Sequence, residues 1–220
     1  MPCPGNYFRQ SVARLATTML VGALVTVCCA ERASAQEGVD LNQAVDAIWR
    51  VKAVDLHFMS PTAYYYCDTL QEKVGSILRV VGASERMSIK ARCSSGTLIN
   101  DTSIRIVIGF PIEATAENVR IETTFDARMQ LVARTRNWPL PTPTTIRRFR
   151  AAWTTVSFWR SDKLHLTPED CDLLHDMSEQ IFPLLAIRIA RDQFYCTPGS
   201  MPLGRPRLEV EALLPLSVKL

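Results

Sequence analysis

The sequence predicts an α+β protein with a mixed or mainly antiparallel sheet, two main helices and two disulfides, built on a duplicated strand-helix-strand-strand unit. Three observations lead there. Trp49 to Cys67 is the same distance as Trp153 to Cys171, and each of these cysteines is followed by another after 26 or 25 residues. Behind each first cysteine lies an apolar stripe at helical spacing. Beyond each second cysteine lies a segment of strict period-two alternation.

The elements follow in order. Lys52 to Phe58 alternates as a strand. Leu70, Val74, Ile77, Leu78 and Val81 recur at steps that put them on one helix face, and Gly82 can take the left-handed conformation that closes the helix. Met87 to Cys93 reads as a short strand, and in Ile104 to Phe110 the isoleucines and Phe110 point one way. The unit then repeats. Trp153 to Trp159 is a strand, and Thr167-Pro168-Glu169-Asp170 sets a hydroxyl cap, a first-turn proline and acids at the start of a helix. A shift of 104 carries the first stripe onto Leu174, Ser178, Ile181, Phe182 and Leu185, with Pro183 bending or ending the helix. Ile187 to Cys196 is a short strand, and Arg207 to Ala212 alternates apolar-in and charged-out, as for a sheet with one wet side. The halves span about 49–112 and 153–216, separated by an insert over 113–152. There Val119 to Asp126 and Met129 to Arg136 read as two strands of a hairpin running into the proline-rich Trp138 to Pro143.

A chain that goes up a strand, down a helix and up again returns its second strand's end to the helix start. That geometry predicts Cys67 with Cys93 and Cys171 with Cys196, each closing a loop of about 26 residues and contributing roughly 3.5 kcal/mol through the unfolded chain. A four-cysteine zinc site is the competing use, but such ligands come in close pairs and these do not.

The first 35 residues carry Arg9 and Arg14, an apolar run from Leu15 to Ala30, and Ala33-Ser34-Ala35, the order of a secretory signal peptide cleaved before Gln36. A retained anchor would need a longer run than ~24 Å of helix. A lipoprotein would need a smaller residue than Val27 before Cys28. Cleavage removes Cys3, Cys28 and Cys29 and leaves residues 36–220 as one mature domain with four cysteines, in keeping with an oxidising periplasmic or secreted address. The mature part keeps 22 basic and 21 acidic side chains, so nothing argues for nucleic acid, and no later apolar run is long enough to span a bilayer, so it is expected to be soluble.

Catalytic signals are weak. His175 lies three residues after Asp172 and one before Asp176, a pair that could hold a cation on a helix face, but no third ligand is identifiable and a solvated polar face is the preferred reading. His57 and His165 read as structural. The cysteines lack the Cys-x-x-Cys spacing of thiol exchange, and no Gly-x-Ser-x-Gly, phosphate-binding glycine loop or His-Glu-x-x-His occurs. No metal or cofactor is implied. Tyr64, Tyr65 and Tyr66 cannot all face one core; packing around the disulfide and a sugar or peptide platform are the two readings. The sharpest surface signal is Arg134, Arg136, Arg147, Arg148 and Arg150 around Trp138, guanidinium groups that a hairpin would bring together to bind phosphate or carboxylate groups.

Tyr66-Cys67-Asp68 with Cys93, Cys171-Asp172-x-Leu174, and Gly204-Arg205-Pro206-Arg207-Leu208-Glu209-Val210 together resemble an uncharacterised family of exported proteins of Gram-negative bacteria. The resemblance implies a periplasmic address and no particular activity. The functional expectation is a non-catalytic binding or envelope-interaction module, its partner an envelope component or another periplasmic protein. The alternative is a periplasmic, hydrolase-like enzyme with a scattered site.

Overall fold

The computed structural model describes residues 44–160, 164–193 and 206–216. The signal peptide expected over 1–35, with its three cysteines, lies outside them, as does Cys196. The chain forms β1 (Val45–Met59), β2 (Tyr65–Tyr66), α1 (Cys67–Val80), β3 (Ser88–Ala91), β4 (Leu98–Ile99), β5 (Asp101–Glu113), α2 (Ala116–Glu122), α3 (Ala127–Thr135), β6 (Arg148–Ser157), α4 (Cys171–Gln180), β7 (Arg188–Gln193) and β8 (Arg207–Pro215). Short 3-10 turns at Phe158–Arg160, Pro168–Asp170 and Phe182–Leu185 punctuate the second half.

Six strands form one sheet in the order β3-β5-β1-β6-β8-β7, with every neighbouring pair antiparallel. β1 and β3 run parallel with β5 between them, so β1-α1-β3 is a split crossover. This is the arrangement that returns the end of β3 to the start of α1. Cys67 and Cys93 meet there with their Cα atoms 6.0 Å apart and are bonded. Cys171 is also disulfide-bonded, and its expected partner Cys196 is outside the described residues. Outside the insert the described strands and the two long helices fall where expected; among the described cysteines, one bridge has both ends in view.

The core lies on one face of the sheet. Val54, Leu56 and Phe58 of β1, Ile104, Ile106, Ile108 and Phe110 of β5, and Leu208, Val210 and Ala212 of β8 are buried against Leu70, Val74, Ile77 and Leu78 of α1 and Leu173, Leu174 and Met177 of α4. Burying a side chain of this size is worth about 1.5–3 kcal/mol, so these stripes hold the helices on the sheet. The opposite face carries a smaller cluster of Ala47, Ala151 and Leu213, flanked by Phe149 and Trp153. Gly82 closes α1 at φ +91°, and a Cβ there would sit 2.9 Å from the Leu213 carbonyl oxygen, so both backbone conformation and space call for glycine. At Pro168, the expected start of the second long helix, a 3-10 turn over Pro168–Asp170 leads into α4, which begins at Cys171.

Two features depart from expectation. The insert is not a hairpin: Val119 to Asp126 and Met129 to Arg136 fall mainly in α2 and α3. The four-residue alternation at Val119-Arg120-Ile121-Glu122 was too short to choose a period. The backbone is instead decided by caps, since Thr115 accepts the Asn118 amide and Asp126 accepts the Met129 amide. The sheet is also split. β1 pairs with β6 only over Val45–Ile48, and near its other end its edge is taken by α4. Gln180 accepts the His57 amide at 2.8 Å and donates to the His57 carbonyl at 2.9 Å, as a neighbouring strand would. Asp176 accepts the Met59 amide, and Asp172 accepts the Ser60 hydroxyl.

Candidate functional site

Four groupings of side chains can carry chemistry. The first joins the starts of the two long helices. Asp170 is fully buried and receives Lys73 Nζ at 2.6 Å on both oxygens, the Tyr65 hydroxyl at 2.8 Å, and the Thr167 amide at 2.7 Å. Burial, then the adjacent Asp170 carboxylate, pushes the Tyr65 phenol far above its ordinary range, which keeps it a neutral donor. Tyr65 is thus the inward member of the tyrosine triplet, while Tyr64 and Tyr66 are exposed. All of Asp170's acceptor capacity is directed at the protein, so this grouping is a latch between halves.

The second is the polar face of α4. His175 faces Glu179 at 3.5 Å. Asp172 and Asp176, which the sequence offers as its acid neighbours, are turned to Ser60 and to the Met59 amide. Burial pushes the Asp176 carboxyl above its usual range, against the lowering effect of the Met59 amide. His57 lies 3.7 Å from Asp101 on the sheet surface. Among the described residues, no group of three or more His, Cys, Asp and Glu is placed to hold a metal ion.

The third is the insert. α3 buries only Ala133 and leaves Met129 and Leu131 exposed, Leu131 at 62%. Trp138 follows at 61% exposure and, with Arg134, Phe125 and the prolines 139 and 141, lines a shallow groove. Arg148 lines a different groove with Arg120, Val119 and Pro143. Arg150 is bound by Asp46 on β1 at 3.0 Å, and Arg136 closes α3. The six residues singled out from the sequence are therefore not gathered into one pocket. Helix and loop spread them, and Arg150 is neutralised. Arg128, Arg134, Arg136, Arg147 and Arg148 are exposed and have no carboxylate partner among the described residues.

The fourth was not legible in the sequence. A cleft of about 370 Å³ opens where the ends of β5 and β8 approach the segment after the 3-10 turn Phe182–Leu185. Its walls include Val81, Phe110, Ile112, Leu185 and Ile187. At its polar end Trp153 donates its indole N–H to Glu113 at 2.7 Å, and the Arg188 guanidinium lies over the same ring, 4.6 Å from its centroid. Arg50 also borders the cleft, held by Glu122 at 2.6 Å and by Asn118. The matched tryptophan spacing singles out Trp153, but nothing in the sequence connects it with residues 40 positions before and 35 after.

Comparison with protein-family models, with curated proteins and with solved structures finds no match to this chain.

Proposed function

We propose that this chain is an exported, non-catalytic envelope-interaction module that docks on an anionic lipid surface through its helical insert. The observation that carries the reading is α3: a helix with one buried residue that shows Leu131 and Met129 to solvent and carries Arg128, Arg134 and its C-cap Arg136, which, like Arg147 and Arg148 after the proline-rich loop, have no carboxylate partner among the described residues. A helix lies in a membrane interface when apolar side chains enter the acyl boundary and basic ones stay with the headgroups. Trp138, exposed on a proline-rich loop next to α3, is of the type that settles at headgroup level. Each arginine near such a surface adds about 1 kcal/mol.

Export and a periplasmic address are part of the same proposal. They are supported by the signal-like order of the first 35 residues and by the Cys67–Cys93 bridge, which persists in oxidising compartments. No helix among the described residues is long and apolar enough to cross a membrane. We assign Cys196 as the partner of Cys171, and we read the two halves as a duplication. Strand order supports the duplication: counted within each half, the sheet runs second, third, first, first, third, second. The pairing of β1 with β6 is centred on Asp46 and Arg150, which the 104-residue shift carries onto each other.

The test is flotation of the mature protein, residues 36–220, with vesicles of phosphatidylglycerol in phosphatidylcholine, against phosphatidylcholine alone. Binding is expected only with the anionic lipid and is expected to weaken as salt rises. Replacing Arg147 and Arg148 by Gln should cost about 2 kcal/mol, roughly a thirtyfold loss of affinity. Equal binding to both vesicles, or none to either, overturns lipid docking. Envelope association that survives without flotation would assign the insert to an acidic protein surface instead.

A further inference from the structure

We propose that the cleft at Trp153 is a binding site for a zwitterionic α-amino acid with an apolar side chain. Two opposite charges, Arg188 and Glu113, are brought to the same indole, one over its face and one at its N–H, yet they do not pair with each other. Arg188 has no carboxylate partner among the described residues, and Glu113 spends one oxygen on Trp153, leaving the other available. Arg50, the third charge at the cleft, is already satisfied by Glu122 and Asn118. Among the described residues the cleft therefore offers one cation without a carboxylate and one half-used anion, both at the same indole, with an apolar wall of Val81, Phe110, Ile112, Leu185 and Ile187 beside them.

That is the complement of a molecule carrying a carboxylate, an ammonium and a hydrocarbon side chain. A planar guanidinium can take a carboxylate through two parallel hydrogen bonds. The free Glu113 oxygen accepts an ammonium N–H, and the volume lies at the small end of ligand pockets. A simple anion would meet Glu113 as a like charge, and a simple amine would meet Arg188 as one. The two halves also treat their matched tryptophans differently. Trp49 stacks on Phe149, with ring centroids 4.9 Å apart, whereas Trp153 alone carries the polar pair.

Calorimetric titration of the mature protein with L-leucine, 4-methylpentanoate and 3-methylbutylamine decides the matter, because the last two lack the ammonium and the carboxylate respectively. Leucine should bind, and each analogue should bind about tenfold more weakly or worse. Arg188→Gln should weaken leucine and 4-methylpentanoate but not the amine, and Glu113→Gln should weaken leucine and the amine but not the acid. The glutamine carbonyl at 113 can still accept the Trp153 N–H, and thermal unfolding of both variants checks that they remain folded. Equal binding of 4-methylpentanoate and leucine, indifferent to Glu113→Gln, would make this a carboxylate site and overturn the proposal. Absence of binding by all three at millimolar concentration would overturn it too. Either result leaves lipid docking by the insert untouched, since the two sites share no residue.

Discussion

At the scale of single residues, Asp170 is a charged side chain buried without exposure and held by Lys73, Tyr65 and Thr167. An uncompensated buried charge costs several kcal/mol, and removing one partner of a buried pair typically costs 3–5 kcal/mol. Lys73 supplies that compensation with its ammonium 2.6 Å from both Asp170 oxygens. Lys73→Met should therefore lower the unfolding free energy by about 3 kcal/mol in urea titration; a loss under about 1 kcal/mol would show that the hydrogen bonds from Tyr65 and Thr167 suffice alone. Asp176 gives a pH dependence. Burial raises its folded pKa above the unfolded value, so the native state holds the proton more tightly. Its contribution to stability is then complete below the unfolded value, near 4, and is lost as pH rises through the folded one. Asp176→Asn removes the titration while its amide oxygen can still accept the Met59 amide. The variant should gain stability relative to wild type as pH rises from about 4 toward neutrality, measured as the difference in Tm. A difference that does not change with pH would rule this out.

At the scale of elements, α4 does what a strand would do for β1. Gln180 returns both backbone hydrogen bonds of His57, so the far end of the β1 edge that β6 leaves unpaired is covered. Gln180→Ala should speed hydrogen exchange at the His57 amide about tenfold, taking ~1.4 kcal/mol for the two bonds, with amides in the β1–β5 ladder unaffected. Equal acceleration along that ladder would mean global loosening instead. Such a clasp is invisible in the sequence, because a glutamine on a helix carries no sign of which backbone it meets 123 residues away. What was legible is the periodic part. The stripe from Leu70 to Val81 and the alternation in β5 and β8 each bury the residues their spacing selects. The insert was misread for the opposite reason. Its segments are too short and too exposed for burial to impose a period, and the decision passes to the Thr115 and Asp126 caps.

At the scale of the whole molecule, two three-stranded halves share one hydrophobic core and are joined besides by four residues of β1, the α4 clasp and the Asp170 latch. The cleft draws its lining from both halves: Phe110 and Ile112 come from one, and Trp153 and Arg188 from the other. It was therefore unreadable from either half's pattern. Sheet order alone brings these residues together. Covalent closure adds to the packing of that shared core. Cys67–Cys93 ties the start of α1 to the end of the β3 segment across a 26-residue separation, and a loop of that size stabilises by about 3.5 kcal/mol on the chain-entropy model. That single crosslink is already a large share of the roughly 5–15 kcal/mol span of typical total stabilities, and the proposed pairing of Cys171 with Cys196 would add a loop of similar size. Reduction should then drop the urea midpoint steeply, and the reduced mature protein should be largely unfolded at 37 °C. Peptide mapping of the oxidised protein should return Cys67 with Cys93 and Cys171 with Cys196. A reduced protein with an unchanged midpoint would show that packing alone holds the fold and would remove the energetic basis for an oxidising compartment, and crosslinks running between the halves would overturn the pairing.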